Sequence, residues 1–246
     1  MNNFCAPTIH ELKVRNAHEK NFYKNLPEDF KNIFLRVKDT TMLSRERLFD
    51  FYNSIQYVVK NQIPGDIVEI GCWAGGSIAM ARATLDGFAS NHDIRSVYGF
   101  DTYEGHGRPP DHEYDVWGNK CALTFNELDE VGESWAKVDL EQVQKNLTSI
   151  NGSLDGFTLI KGRVEDVAKH SSIKKIAILR IDVDWYEPTL FSLEYFYPMI
   201  PRGGVIIIDD YGHHSGSRDA VNHFFKDKLP KFFYTDYSCI SAIKLE

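Results

Sequence analysis

The sequence predicts an α/β protein whose sheet is doubly wound and Rossmann-like. Three observations carry this. Two continuous apolar, β-branched runs, Ile176–Ile181 and Val205–Ile208, flank a helix-length segment, Pro188–Pro198. Such runs suit strands buried on both faces, and a strand–helix–strand unit makes the two strands parallel neighbours. A third run, Asp66–Ile70, passes straight into a glycine-rich turn and another helix, Ile78–Leu85. The tail, Phe232–Tyr237 then Ser241–Leu245, alternates like a closing hairpin.

The 246 residues suffice for one sizeable core. Hydrophobic content of 43% and charged content of 26% are ordinary for a soluble globular chain. The net charge of -7 argues against nucleic acid as partner. No apolar run reaches bilayer length, and the first twenty residues lack a signal core, so a cytoplasmic protein with no membrane partner is expected. Cys5, Cys72, Cys121 and Cys239 form no CxxC pair and fit a reducing compartment.

Taken in order, residues 1–40 read as an N-terminal helical extension and 41–246 as a single domain. Thr41–Asn61 is a helix with Ser44 as N-cap and apolar residues at helical spacing. After Asp66–Ile70, the turn Glu69-x-Gly71-x-x-x-Gly75-Gly76-Ser77 carries an acid before its first glycine. That suits a cofactor with an amino-acid end and a sulfonium better than a dinucleotide pyrophosphate. Ser96–Phe100 is the second strand, and Asp101 at its end is placed to accept from ribose hydroxyls. Residues 102–133 are irregular and aromatic, a lid-like insertion at about 102–135. A helix, Val138–Leu147, and a third strand, Gly156–Lys161, follow; the Val164 backbone or Asp166 then meets an adenine edge, or simply opens a helix.

The two opening runs end in carboxylates: Asp182 and Asp184 after the first, Asp209 and Asp210 after the second. Parallel neighbours put these ends on one rim, where ligands of open α/β sheets bind. Like charges that close need a cation or a proton. Mg²⁺, or another hard divalent cation, takes such oxygen ligands. An Asp184 two residues past Asp182 points the same way if the backbone stays extended. His213 and His214 read as substrate contacts or, more simply, surface histidines; Arg218 reads as a partner of a site acid or an ordinary ion pair. A final helix spans Ala220–Lys226. Five parallel strands and a hairpin fit the seven-stranded methyltransferase version of the fold, with one antiparallel strand.

The segments TMLSRERL (41–48), IPGDIVEIGCWAGGS (63–77), YGFDTYEG (98–105), LRIDVDWYEPT (179–189) and GGVIIIDDYGHHSGSRDAV (203–221) resemble, in this order, the TylF-type macrocin O-methyltransferase family. The resemblance implies a class I S-adenosyl-L-methionine fold, a divalent metal, usually Mg²⁺, and a sugar hydroxyl as acceptor on a small molecule. It implies Asp182, Asp209 and Asp210 as metal ligands and Asp184 as general base. It also implies Glu69, Gly71 and Asp101 at the cofactor, Thr41 and Met42 folding over its methionine end, and a dimer or larger homo-oligomer. Gly75, Ser77, Val164, Asp166 and Asp182 complete the expected cofactor site. Two other readings of the residues remain: a metal-dependent glycosyltransferase using Asp182-Val183-Asp184 as a DxD motif, and a binding protein that has lost catalysis. A catechol-like small-molecule O-methyltransferase is a variant of the first reading.

Overall fold

The structure, a computed structural model, describes residues 21–88, 95–227 and 230–246. The first half of the expected N-terminal extension, residues 1–20, lies outside them. The described strands are β1 Asp66–Ile70, β2 Val97–Asp101, β3 Phe157–Lys161, β4 Ile176–Ile181, β5 Val205–Ile208, β6 Phe233–Tyr234 and β7 Ile240–Ile243. They form one seven-stranded sheet in the order β3-β2-β1-β4-β5-β7-β6. β1 to β5 pair in parallel. β7 runs antiparallel to both β5 and β6, so the expected antiparallel strand lies inside the sheet.

The described helices are α1 Glu28–Val37, α2 Arg45–Lys60, α3 Gly76–Phe88, α4 Cys121–Glu130, α5 Leu140–Asn151, α6 Val164–Val167, α7 Tyr186–Phe196 and α8 Ser215–Phe224. Ser44 caps α2 by accepting from Arg47 N–H at 3.1 Å. Asp139 caps α5 the same way from Gln142 N–H at 2.8 Å, which starts that helix after Val138. Among the described residues no helix is long and apolar enough to cross a membrane.

The strands alternate between two cores, which is why their sequences are apolar throughout. Ile67, Ile178, Val205 and Ile207 face one layer with Phe51 and Ile55 of α2, Ile78 of α3 and Val143 of α5. Val68, Leu179, Ile206 and Ile208 face the other, with Leu193 and Phe196 of α7 and Val221 of α8. Register sets the site. Ile70 pairs with Phe100 and Ile181, and Ile181 pairs with Ile208. The next residue of each strand, Gly71, Asp101, Asp182 and Asp209, therefore lies level on one rim.

Two expectations change. The 102–133 stretch is not irregular throughout: it contains the ten-residue α4. Only Cys121 and Ala122 of that helix are buried, so its apolar pattern is too thin to read. α8 begins at Ser215, five residues before the expected start at Ala220. Gly216 is needed there, because a Cβ would come within 2.3 Å of the Glu113 carboxylate.

Gly71 has φ +84°, and a Cβ on it would lie 1.8 Å from the Asp182 carbonyl oxygen. Gly87, in α3, would meet nothing within 4 Å. Urea unfolding should show Gly71→Ala losing about 3 kcal/mol or more. Gly87→Ala should hold or gain about 0.5–1 kcal/mol.

Candidate active site

The glycine turn is held from three sides. Gly76 N–H donates to the Thr40 carbonyl at 2.9 Å, and a Cβ there would lie 2.5 Å from that oxygen. This close approach seats Thr40 on the turn, and Thr41 and the exposed Met42 follow it in the chain. Gly75 serves packing: its Cβ position abuts Val143 and Leu147 of α5. Asp101 is turned onto the loop. Its Oδ2 accepts from Cys72 N–H (3.0 Å) and Trp73 N–H (2.9 Å), its Oδ1 from Tyr103 N–H (2.8 Å). A carboxylate has about four acceptor sites, so one remains for a ligand hydroxyl. Val164 is buried at the start of α6, and Asp166 is exposed two residues on.

Beneath the turn, Glu69 is fully buried. Its Oε1 accepts from Ser77 Oγ (2.7 Å) and from Arg180 Nη1 (2.5 Å), while Oε2 is buried with no partner. Burial pushes this carboxyl up to about 7, against the downward pull of Arg180 and Ser77. Glu69 and Arg180 are register partners on adjacent strands, so their side chains leave the same face. Asp182 and Asp209 follow the same parity. Arg180 also reaches Asp182 Oδ2 at 2.8 Å and pairs with Asp209 Oδ2. Arg47 of α2 pairs with Asp209 Oδ1 and, at 2.7 Å, with Asp236.

Carboxylate oxygens of Asp182, Asp209 and Asp210 all lie within 4.8 Å of one another. One Asp210 oxygen, Oδ2, is buried without a partner. Burial, reinforced by the charges of Asp184 and Asp182, pushes the Asp210 carboxyl well above its ordinary range. Such a carboxyl holds a proton unless a cation replaces it. All three candidate ligands are hard oxygen donors, which fits Mg²⁺.

Asp184 joins this group by a route the sequence does not suggest. Its backbone is not extended: φ is 59°, and Trp185 N–H bonds back to the Val183 carbonyl at 2.6 Å, a γ-turn. The turn swings the side chain beside Asp210. Burial alone would raise the Asp184 carboxyl, but the charge of His106, a hydrogen bond from Asp210 and the nearby His214 outweigh it and bring it to about 2.

His214 is not a surface histidine: it is 5% exposed, and its Nε2 lies 3.9 Å from Asp184 Oδ1. His213 is half-buried between Trp117 (5.1 Å) and Tyr237 (5.9 Å). Arg218 makes a surface pair with Asp219 at 3.7 Å and holds no site acid.

Sequence reasoning missed Arg180, Asp236, Glu113 and His106. Arg180 had a signal, since a charge inside a run buried on both faces must be paired. The others are lone polar residues in loops, joined to the site only by folding.

A family model described as Macrocin-O-methyltransferase (TylF) matches residues 10–231. The chain belongs to the TylF macrocin O-methyltransferase family. This TylF-family chain is 32% identical over 184 residues to the 8-demethyl-8-(2,3-dimethoxy-alpha-L-rhamnosyl)-tetracenomycin-C 4'-O-methyltransferase of Streptomyces olivaceus, covering 75% of this chain and 67% of that protein. It is 29% identical over 186 residues to the demethyldecarbamoylnovobiocin O-methyltransferase of Streptomyces niveus, with coverage of 75% and 67%. The solved structure of the O-methyltransferase NovP matches with a TM-score of 0.74 at 25% identity, covering 84% of this chain and 83% of that one. The calicheamicin methyltransferase CalS11 shares the fold at a TM-score of 0.60 and 18% identity, covering 98% and 95%. This chain is thus an O-methyltransferase with the class I fold of S-adenosylmethionine-binding methyltransferases. The glycosyltransferase and lost-catalysis readings fall away.

Removing Arg180 leaves Glu69 and Asp182 without their cation and Asp209 with Arg47 alone. Arg180→Met should cost about 3–5 kcal/mol of stability. Millimolar Mg²⁺ should raise the variant's Tm more than the wild type's, which differential scanning calorimetry checks.

Proposed function

We propose that this chain transfers the methyl of S-adenosylmethionine to a sugar hydroxyl of a small glycosylated molecule, with Mg²⁺ at Asp182, Asp209 and Asp210. The observation that carries this is the meeting of those three carboxylates with Asp184 on the rim beside the glycine turn. Two relatives favour a sugar acceptor by name: the rhamnosyl-tetracenomycin enzyme and the mycinamicin III 3''-O-methyltransferase of Micromonospora griseorubida.

S-adenosylmethionine, when bound, supplies an electrophilic methyl on a sulfonium. The orphaned Oε2 of Glu69 suits its ammonium, and Gly71, Gly75 and Ser77 shape the turn beneath it. Thr41 and Met42 cover the methionine end. Asp101 has acceptor capacity left for ribose, and the adenine edge is assigned to the Val164 backbone or to Asp166. Mg²⁺ supplies Lewis acidity toward the acceptor hydroxyl, a very weak acid by itself. Asp184 takes the hydroxyl proton as the oxygen attacks the methyl. Its lowered pKa keeps it ionised across the neutral range but a weak base, so the transfer would depend on the acidity that Mg²⁺ would lend the hydroxyl. The 102–135 insertion forms a lid over the acceptor.

Calorimetric titration with S-adenosylhomocysteine should show binding that does not need Mg²⁺. Labelled-methyl transfer to a panel of glycosides should then stop with EDTA; full activity in EDTA would sink the metal role. Asp184→Asn should lose turnover by about 10²-fold or more while keeping S-adenosylhomocysteine affinity.

Glu69 gives a pH signature. The ligand's ammonium favours the carboxylate, so binding should tighten as pH rises through about 7 and release a proton. Glu69→Gln should make the affinity flat between about pH 6 and pH 8, read by the same calorimetry in buffers of different ionisation heat.

A further inference from the structure

The insertion sends one imidazole into the carboxylate group. His106 Nε2 lies 3.0 Å from Asp184 Oδ2. The ring is fixed independently of that contact. It packs edge-on against Trp135 at 5.8 Å and Trp185 at 5.5 Å between centroids. Its backbone N–H donates to the Trp135 carbonyl at 2.9 Å, closing the neck of the insertion. Gly105 makes this closure possible, since at φ +87° a Cβ would lie 2.6 Å from the same carbonyl.

Asp184 needs outside support. A non-glycine residue in the left-handed region costs about 1–3 kcal/mol and persists only where its surroundings over-determine it. The Asp184 carbonyl accepts from Ser217 N–H at 3.0 Å, which fixes the backbone. His106 is the group from the insertion that fixes the side chain. His106 lies against Oδ2 and His214 on the side of Oδ1, while Asp210 hydrogen-bonds to the same carboxylate.

We infer that His106 is a positioning residue for Asp184: its Nε2, 3.0 Å from Oδ2, orients the carboxylate that takes the acceptor's proton. The insertion is then part of the reacting apparatus as well as a wall for the acceptor. The inference rests on Asp184 being the proton acceptor. Reacting groups displaced by about 1 Å lose about 10²-fold in rate, which sets the expected effect.

The test uses the full chain with S-adenosylmethionine, Mg²⁺ and demethyldecarbamoylnovobiocin as probe acceptor. His106→Ala should lower kcat by about 10²-fold with unchanged KM and unchanged S-adenosylhomocysteine affinity. His106→Gln, whose amide N–H can stand where Nε2–H does, should regain about tenfold or more of that loss. An Ala variant at wild-type kcat overturns the inference. So does a Gln variant as slow as Ala, or an effect confined to KM, which marks a merely structural neck. Asp184→Asn at full activity would sink the proton-acceptor reading itself. A dead Asp184→Asn beside an unimpaired His106→Ala sinks only the role of His106.

Nitrogen-15 NMR of histidine-labelled protein reads the contact without turnover. The His106 Nε2 resonance should move in Asp184→Asn. An indifferent resonance overturns the inference, and this readout alone decides if the probe is not methylated.

Discussion

The rim depends on one buried guanidinium. Arg180 lies between Glu69, Asp182 and Asp209, three acids that parallel register places on the same face at nearly the same height. Without a fixed cation they could not share a desolvated space, and at least one would be held protonated. Arg47 closes the outer side by pairing with Asp209 and Asp236, which ties α2 to the β6–β7 turn. The two arginines neutralise part of the cluster and leave Asp210 and Asp184 uncovered. The permanent protein charges thus hold Asp182 and Asp209 in place, and Asp210 and Asp184 stand beside them without an arginine partner.

How far the sequence revealed this follows from the range of each interaction. The strands were legible because burial on both faces removes polar residues from a whole run, as in Val205–Ile208. The acids Asp101, Asp182 and Asp209 were legible because each directly follows such a run. The glycine turn was legible because Gly71 answers a local demand, a positive φ beside the Asp182 carbonyl. The orientation of Asp184 was not, since nothing local distinguishes a γ-turn from an extended Val-Asp-Trp. His106 and Glu113 reach their partners across 78 and 73 positions of chain, and no periodicity records that. His214 looked like a surface residue because its burial comes from Trp185 and Trp135, remote in sequence or on another element.

Glu113 gives the insertion a second anchor. Its Oε1 accepts from Tyr186 N–H at 3.0 Å at the start of α7, and its other oxygen lies over Gly216 at the start of α8. One carboxylate therefore meets the positive ends of two helices. Beside it, Tyr114 N–H donates to Ser215 Oγ, and Ser215 N–H donates to the Tyr114 carbonyl.

Anchored at His106, at Glu113 and at Tyr114, the insertion cannot vary evenly along its length. A change in chain length at any of those points would shift the carboxylate frame. Trp117 to Lys120 and Val131 to Ser134 are exposed, and Cβ atoms at Gly118 and Gly132 would meet open space. Those tips can lengthen, shorten or change composition without reaching Asp184. Insertions and deletions that arise in descendants of this chain should therefore collect at two short exposed tips, between residues that cannot shift.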